Sequence, residues 1–320
     1  MSFINDRKYP QFALPYHNRQ RLHPSKVLII SLFWAFVTYG VYFNKFRSES
    51  PGFGSRQAMI SDSDLLFERK MNGQKTISKV SMLYGNQKPG FERAMKTHEE
   101  HNRLHGYRMH LLRHEILDNV WSKPAYILSI LLQELTKPET ERVSWLFWFD
   151  ADTVLLNRQI PLEIFIPPAE HGDVQLLKTD DFNGFNNGVF MVAVTSWSVE
   201  LFTSIISFQD FSPDTPLFLR DQSAMNILLM QPKYANHTVT VPQHWFNAYK
   251  EETNPELAAP ADQVRSGDLL VHLAGLVYQE EWLDIFCNRW ERDPSKWDID
   301  LDKTTYPAEI KEFWRNVVRH

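Results

Sequence analysis

The sequence predicts an α/β fold with a mainly parallel sheet flanked by helices, and two observations predict it. From Ile77 onward, short apolar runs alternate with segments of helical period. The run Trp145-Leu146-Phe147-Trp148-Phe149 is uninterrupted and ends on Asp150, as a strand buried on both faces should. Taken in order, residues 80–84 form a first strand that stops at Gly85. Residues 91–104 form a helix closed by Gly106, and residues 107–112 a second strand. Residues 124–135 form a strong helix. Pro124 stands near its first turn, and Ile127, Leu128, Ile130, Leu131, Leu132 and Leu135 supply its apolar side. Strand, helix, strand, helix, strand implies helices on both sides of a sheet. Ligands of such sheets bind beyond the carboxyl ends of the strands, where Asp150 and Asp152 fall.

The chain has 320 residues, 43% hydrophobic and 23% charged, which is ordinary globular composition. A net charge of −5 and a pI near 6.2 argue against a nucleic-acid partner. The single cysteine, Cys287, rules out an intrachain disulfide but not a secretory compartment, because a large core needs no such staple.

Eighteen residues between Lys26 and Lys45 carry no charge. At ~1.5 Å per residue they reach ~27 Å, enough for a thin bilayer. Trp34, Tyr39, Tyr42 and Phe43 add aromatic anchors. Arg7, Lys8, Arg19, Arg21 and Lys26 precede the segment against Asp6 alone, which favours a cytoplasmic N-terminus. The expected organisation is a cytoplasmic tail over 1–26, a transmembrane anchor over 27–44, a Ser-, Gly- and Pro-bearing stem over 45–76 and a lumenal domain over 77–320. Asn236-His237-Thr238 is a glycosylation triplet compatible with that side.

Asp150-Ala151-Asp152 carries the strongest chemical signal. Two carboxylates leaving an apolar strand repel each other, and a divalent cation offsets the repulsion. Hard oxygen ligands suit Mg²⁺ or Mn²⁺, and such an ion can neutralise a departing diphosphate. The pattern admits two other readings: turn aspartates that merely cap, and the D-x-D-x-T nucleophile motif of haloacid-dehalogenase-like phosphatases. Against the phosphatase, strand–helix pattern precedes the motif, and the Ser/Thr strand follows Lys178 and Asp180-Asp181, the reverse of the required order. His98, His101, His105, His110 and His114 invite zinc, but with no H-E-x-x-H and no nearby cysteine a solvated helix face is preferred. Gly184-Phe185-Asn186-Asn187-Gly188 stands at the mouth of an apolar strand over 189–194, where its amides can meet a sugar's hydroxyls; the plain alternative is a turn. Asp221-Gln222-Ser223 reads as the cap of a helix over 224–230, and His272 ends the run 268–271.

In order, these pieces resemble glycosyltransferase family 34, the fungal α-galactosyl- and α-mannosyltransferase family. The resemblance covers residues 80–285. It rests on His105-Gly106-Tyr107, Trp121-Ser122-Lys123, Trp148 to Asp152, Asn186-Asn187-Gly188-Val189-Phe190, Asp221-Gln222-Ser223-Ala224, Asn247-Ala248-Tyr249 and Val271-His272-Leu273-Ala274-Gly275. It implies a GT-A fold, bound Mn²⁺, a sugar nucleotide (UDP-galactose or GDP-mannose) as donor, a glycan acceptor and retention of anomeric configuration. The single-pass type II topology read from the N-terminal segment agrees independently, with a Golgi membrane and partner glycosyltransferase subunits as matching expectations. Position by position, Asp150 and Asp152 correspond to the metal and diphosphate motif and His272 to a third metal ligand, expected within ~5–6 Å of a carboxylate oxygen. Gly85 and Lys123 fall on the nucleotide side, Asn186 on the sugar side, and Asp221 and Gln222 near the reacting carbon. Two departures stand out: no basic residue in Met191-Val192-Ala193-Val194, and no lysine in Leu276-Val277-Tyr278-Gln279-Glu280. They leave open a non-catalytic subunit as the alternative.

Overall fold

The computed structural model describes residues 76–85, 89–254 and 256–317, within the compact unit Ala58–His320. The expected tail, anchor and nearly all of the stem lie outside the described residues. Among the described residues no helix is long and apolar enough to cross a membrane.

Among the described residues, eight strands form two sheets: β1 (Ile77–Met82), β2 (Arg108–Leu112), β3 (Trp145–Phe149), β4 (Thr153–Leu155), β5 (Leu176–Asp181), β6 (Gly184–Ala193), β7 (Thr238–Thr240) and β8 (Leu270–His272). The six-stranded sheet has the order β2-β1-β3-β6-β5-β7. Only β6 opposes the others: it pairs antiparallel with β3 and β5, whereas β1–β2, β1–β3 and β5–β7 are parallel. β4 and β8 form a second, antiparallel ladder. The longer helices are α1 (Pro89–His105), α2 (Ser122–Leu135), α3 (Ser196–Ile206), α4 (Asp221–Leu229), α5 (Gln279–Arg292) and α6 (Tyr306–Asn316).

β3 is apolar throughout because both of its faces are covered. Phe147 and Phe149 join one core cluster with Trp245 and Phe246, and Leu146 and Trp148 join another with Ile127, Leu131 and Phe202. At ~25 cal/mol per Å² such burial dominates the stability of the sheet.

Three expectations change. Residues 184–188 are not a turn but the first half of β6. Their backbone pairs with β5 (Thr179 with Asn186, Asp181 with Gly184), and the turn is Phe182-Asn183, with Gly184 at φ +96°. α4 starts at Asp221 itself, behind Arg220, a non-glycine residue at φ +50°. His98 and His101 are not on a solvated face; both are fully buried. His98 stacks on Phe149 at 3.7 Å between centroids and bonds Thr153 Oγ1 at 3.0 Å. His101 lies 2.9 Å from the Ile160 carbonyl and 2.7 Å from the buried Nζ of Lys79. Two polar groups that satisfy each other inside the core read as surface in a one-dimensional pattern.

Candidate active site

β3 delivers Asp150 at its C-terminal end, and the chain turns through Asp152 into β4. Thr153 of β4 pairs in register with His272 of β8, so the antiparallel ladder sets His272 beside Asp152 across 120 residues of sequence. The backbone locks the pair: Leu273 N–H donates to Asp152 O at 3.0 Å. His272 Nε2 lies 3.3 Å from Asp152 Oδ1, inside the expected separation. Asp150, Asp152 and His272 each offer a ligand atom, and these atoms all lie within 4.8 Å of one another. Two carboxylate oxygens and one imidazole nitrogen fit a divalent cation, and the nitrogen favours Mn²⁺ over Mg²⁺.

Gly188 makes the approach possible. Asp150 N–H donates to its carbonyl at 2.7 Å, and a Cβ at 188 would stand 2.2 Å from His272 Cε1 and 2.9 Å from Asn186 Oδ1. Any side chain at 188 would displace the imidazole.

Each of these three side chains is held by neighbours. Lys123, from the first turn of α2 and almost fully buried, lies 2.9 Å from Asp150 Oδ1, and Trp148 Nε1–H donates to the same carboxylate at 2.8 Å. Gln279 Nε2 donates to Asp152 Oδ2 at 2.5 Å. Asn247 Oδ1 lies 2.6 Å from His272 Nδ1.

A second string runs from Lys123 to α4. Lys123 Nζ bonds both the carbonyl and Oδ1 of Asn187 at 3.2 Å. Asn187 Nδ2 donates to Asp221 Oδ2 at 2.9 Å, and its backbone N–H to Gln222 Oε1 at 3.1 Å. Asp221 therefore does not cap α4 with its side chain; it faces Asn187. Asn186 is spent otherwise: its Nδ2 donates to Asp181 and to the Tyr249 hydroxyl oxygen, and its Oδ1 accepts from Gly188 N–H. Gly85 is an exposed turn position at φ +85° after β1, and its nucleotide role rests on the resemblance alone.

The charges are interlocked. Burial opposes ionisation of His272, yet the nearby Asp152 carboxylate raises its pKa. Asp152 is likewise opposed by burial and held low by His272. Burial works against Lys123 too, but Asp150 and Asp221 raise it; burial raises Asp221 despite Lys123.

Residues 167–282 match the family model described as the galactosyl transferase GMA12/MNN10 family, Glyco_transf_34. Over these residues the chain is similar to glycosyltransferase family 34. The match holds Asn186, Asp221, Gln222 and His272 and begins after the two aspartates. A probable alpha-1,2-galactosyltransferase, gmh1, of Schizosaccharomyces pombe is 23% identical over 205 residues, 54% of this chain and 56% of that protein. An uncharacterized alpha-1,2-galactosyltransferase of the same yeast is 21% identical over 221 residues, 58% and 56% of the two chains. The chain thus spans about half the length of these relatives. In structure it is similar to a glycosyltransferase involved in the glycosylation of the major capsid of PBCV-1, at 16% identity and a TM-score of 0.52, over 66% of this chain and 99% of that one. That likeness is one of fold, and the fold is of the GT-A kind.

Sequence reasoning missed Gln279 and the reach of Asn187. Gln279 sat inside a stretch noted only for having no lysine, and Asn187 stood next to the asparagine the resemblance pointed to.

Proposed function

We propose that this protein is a metal-dependent, retaining hexosyltransferase that moves galactose from UDP-galactose, or mannose from GDP-mannose, to a glycan acceptor. The observation that carries the reading is the convergence of Asp150, Asp152 and His272 at the strand ends, joined through Lys123 and Asn187 to Asp221 and Gln222. Asp150, Asp152 and His272 would hold Mn²⁺, which when bound neutralises charge on the diphosphate. Lys123 adds a buried positive charge at Asp150, a pre-set counter-charge for phosphoryl oxygens. Gln222 is anchored through Oε1 by the Asn187 N–H, which leaves its amide N–H₂ for a substrate oxygen. Amides are poor nucleophiles, so the pair fits a front-face displacement in which Gln222 stabilises the oxocarbenium-like state and Asp221 orients it.

The alpha-1,2-galactosyltransferase names of the relatives and the imidazole ligand favour galactose and Mn²⁺. The uncharged run 27–44 and the basic residues before it support a type II Golgi protein with residues 77–320 in the lumen. Protease added to sealed microsomes should then leave that part intact, and digestion without detergent would reverse the topology.

The deciding experiment incubates the purified chain with radiolabelled UDP- and GDP-sugars, with and without Mn²⁺. Release or transfer of one hexose only with Mn²⁺ supports the reading. No turnover of any donor would favour a non-catalytic subunit.

A further inference from the structure

We propose that two amide side chains, Asn247 and Gln279, aim the ligand atoms of His272 and Asp152 at a shared divalent cation; the proposal rests on the metal-dependent reading above. A carboxylate and an imidazole each carry two candidate ligand atoms, and a site for one ion must fix which of them faces inward.

Gln279 does so for Asp152. Its Nε2 has two neighbours, Asp152 Oδ2 at 2.5 Å and the Leu273 carbonyl at 3.0 Å. Both can only accept, so the amide has one chemically sensible orientation. Oδ2 is thereby occupied, and Oδ1 is the oxygen left facing His272 Nε2 at 3.3 Å. Gln279 opens α5, and the Leu273 carbonyl it holds follows His272 directly, so the same amide ties the segment between β8 and α5 to Asp152.

Asn247 does the matching work for His272. It is fully buried, and its Nδ2 donates to Thr179 Oγ1 at 2.7 Å. That turns Oδ1 to His272 Nδ1, where an oxygen can only accept. Nδ1 then carries the proton and Nε2 keeps its lone pair toward the aspartates. The backbone reinforces the aim: His272 N–H donates to Ala248 O at 2.8 Å, and Asn247 N–H to Gln243 O at 2.8 Å. Partners of this kind are typically worth 10–100-fold in metal affinity.

The test is Mn²⁺ titration of the purified full chain, alone and with UDP, followed by the electron paramagnetic resonance signal of free Mn²⁺. Asn247→Leu and Gln279→Leu should each weaken Mn²⁺ on the order of 10-fold or more. Asn247→Asp keeps an acceptor on Nδ1 and should bind close to wild type. Thermal melts report folding; should Asn247→Leu fail to fold, the half-buried Gln279 decides alone. Unchanged affinity in Gln279→Leu, or in folded Asn247→Leu, overturns the inference while wild-type binding keeps the metal-dependent reading. A wild-type chain that takes no Mn²⁺ with or without UDP removes both.

Discussion

Two groups of buried histidines lie close in this fold and behave in opposite ways. His98 and His101, on α1, are fully buried among Phe149, Thr153, the Ile160 carbonyl and Lys79. His272, on β8, is only 3% exposed and faces Asp152 and Asp150. Thr153 meets both groups: its hydroxyl bonds His98, and its backbone pairs with His272. Burial lowers the pKa of all three imidazoles. In His98 and His101 the lysine pushes the same way and both drop well below 6.5, whereas in His272 the carboxylate outweighs burial and the pKa rises. Exposure therefore does not separate a structural histidine from a candidate ligand; the charge of its neighbours does.

Exchange of each kind for alanine should separate the roles. On the proposed function, His272→Ala removes one of three proposed ligands and should lower the proposed Mn²⁺-dependent turnover on the order of 10²–10³-fold, in line with the several kcal/mol that a metal ion contributes to charge stabilisation. His101→Ala should leave the turnover of folded protein near wild type and instead cost about 2–4 kcal/mol of stability, since it opens a cavity and strips Lys79 Nζ of its partner. Urea melts beside initial rates read both. A His101→Ala protein that is stable but inactive would collapse the distinction.

Gly188→Ala sharpens the same contrast from the opposite strand. The added methyl would stand 2.2 Å from His272 Cε1, and that ring is pinned on Nδ1 by Asn247. Mn²⁺ affinity should fall at least ~10-fold, with about 1–3 kcal/mol of overpacking. Wild-type affinity would mean the ring can move aside, and the fixed aim of His272 would fail with it.

Gln222→Ala tests the α4 end of the string. It should lower kcat on the order of 10²-fold with the donor KM little changed, because it removes the group proposed to act on the reacting sugar. Unchanged kcat would leave Gln222 as a brace for the Asn187 backbone.

What could be read from the sequence tracks how local the cause is. β3 and its aspartates were legible because an apolar run with a terminal carboxylate is contained in eight residues. The strand–helix order was legible for the same reason. β6 was misjudged at its start, since its polar first half is a strand only through pairing with β5. The histidines of α1 were misjudged because their partners, Lys79 and Thr153, lie 22 and 55 residues away. Gln279 is 127 residues from Asp152, and nothing in a glutamine near a helix start signals that contact. His272 was placed by resemblance; its physical cause is the register of a three-residue strand.

The smallest effect concerns acid, and it separates the histidine groups without touching the site. In the unfolded chain His98, His101 and His110 titrate near 6.5. In the fold, burial first and Lys79 second hold His98 and His101 well below that value, and burial lowers His110 to about 4. A lowered pKa means the native state refuses a proton that the unfolded chain accepts. The contribution is whole above 6.5 and is lost as the pH falls below it. Each group gives a slope of up to about 1.4 kcal/mol per pH unit. Carboxylates add slope of their own at lower pH, so the useful quantity is a difference between proteins. His101→Gln keeps a polar partner for Lys79 and cannot titrate. Between pH 6.5 and 5 its urea midpoint should fall less steeply than that of wild type, by about one proton's worth. Parallel slopes would show that His101 takes up its proton inside the fold as readily as outside, and the neutral core histidine would have to be given up.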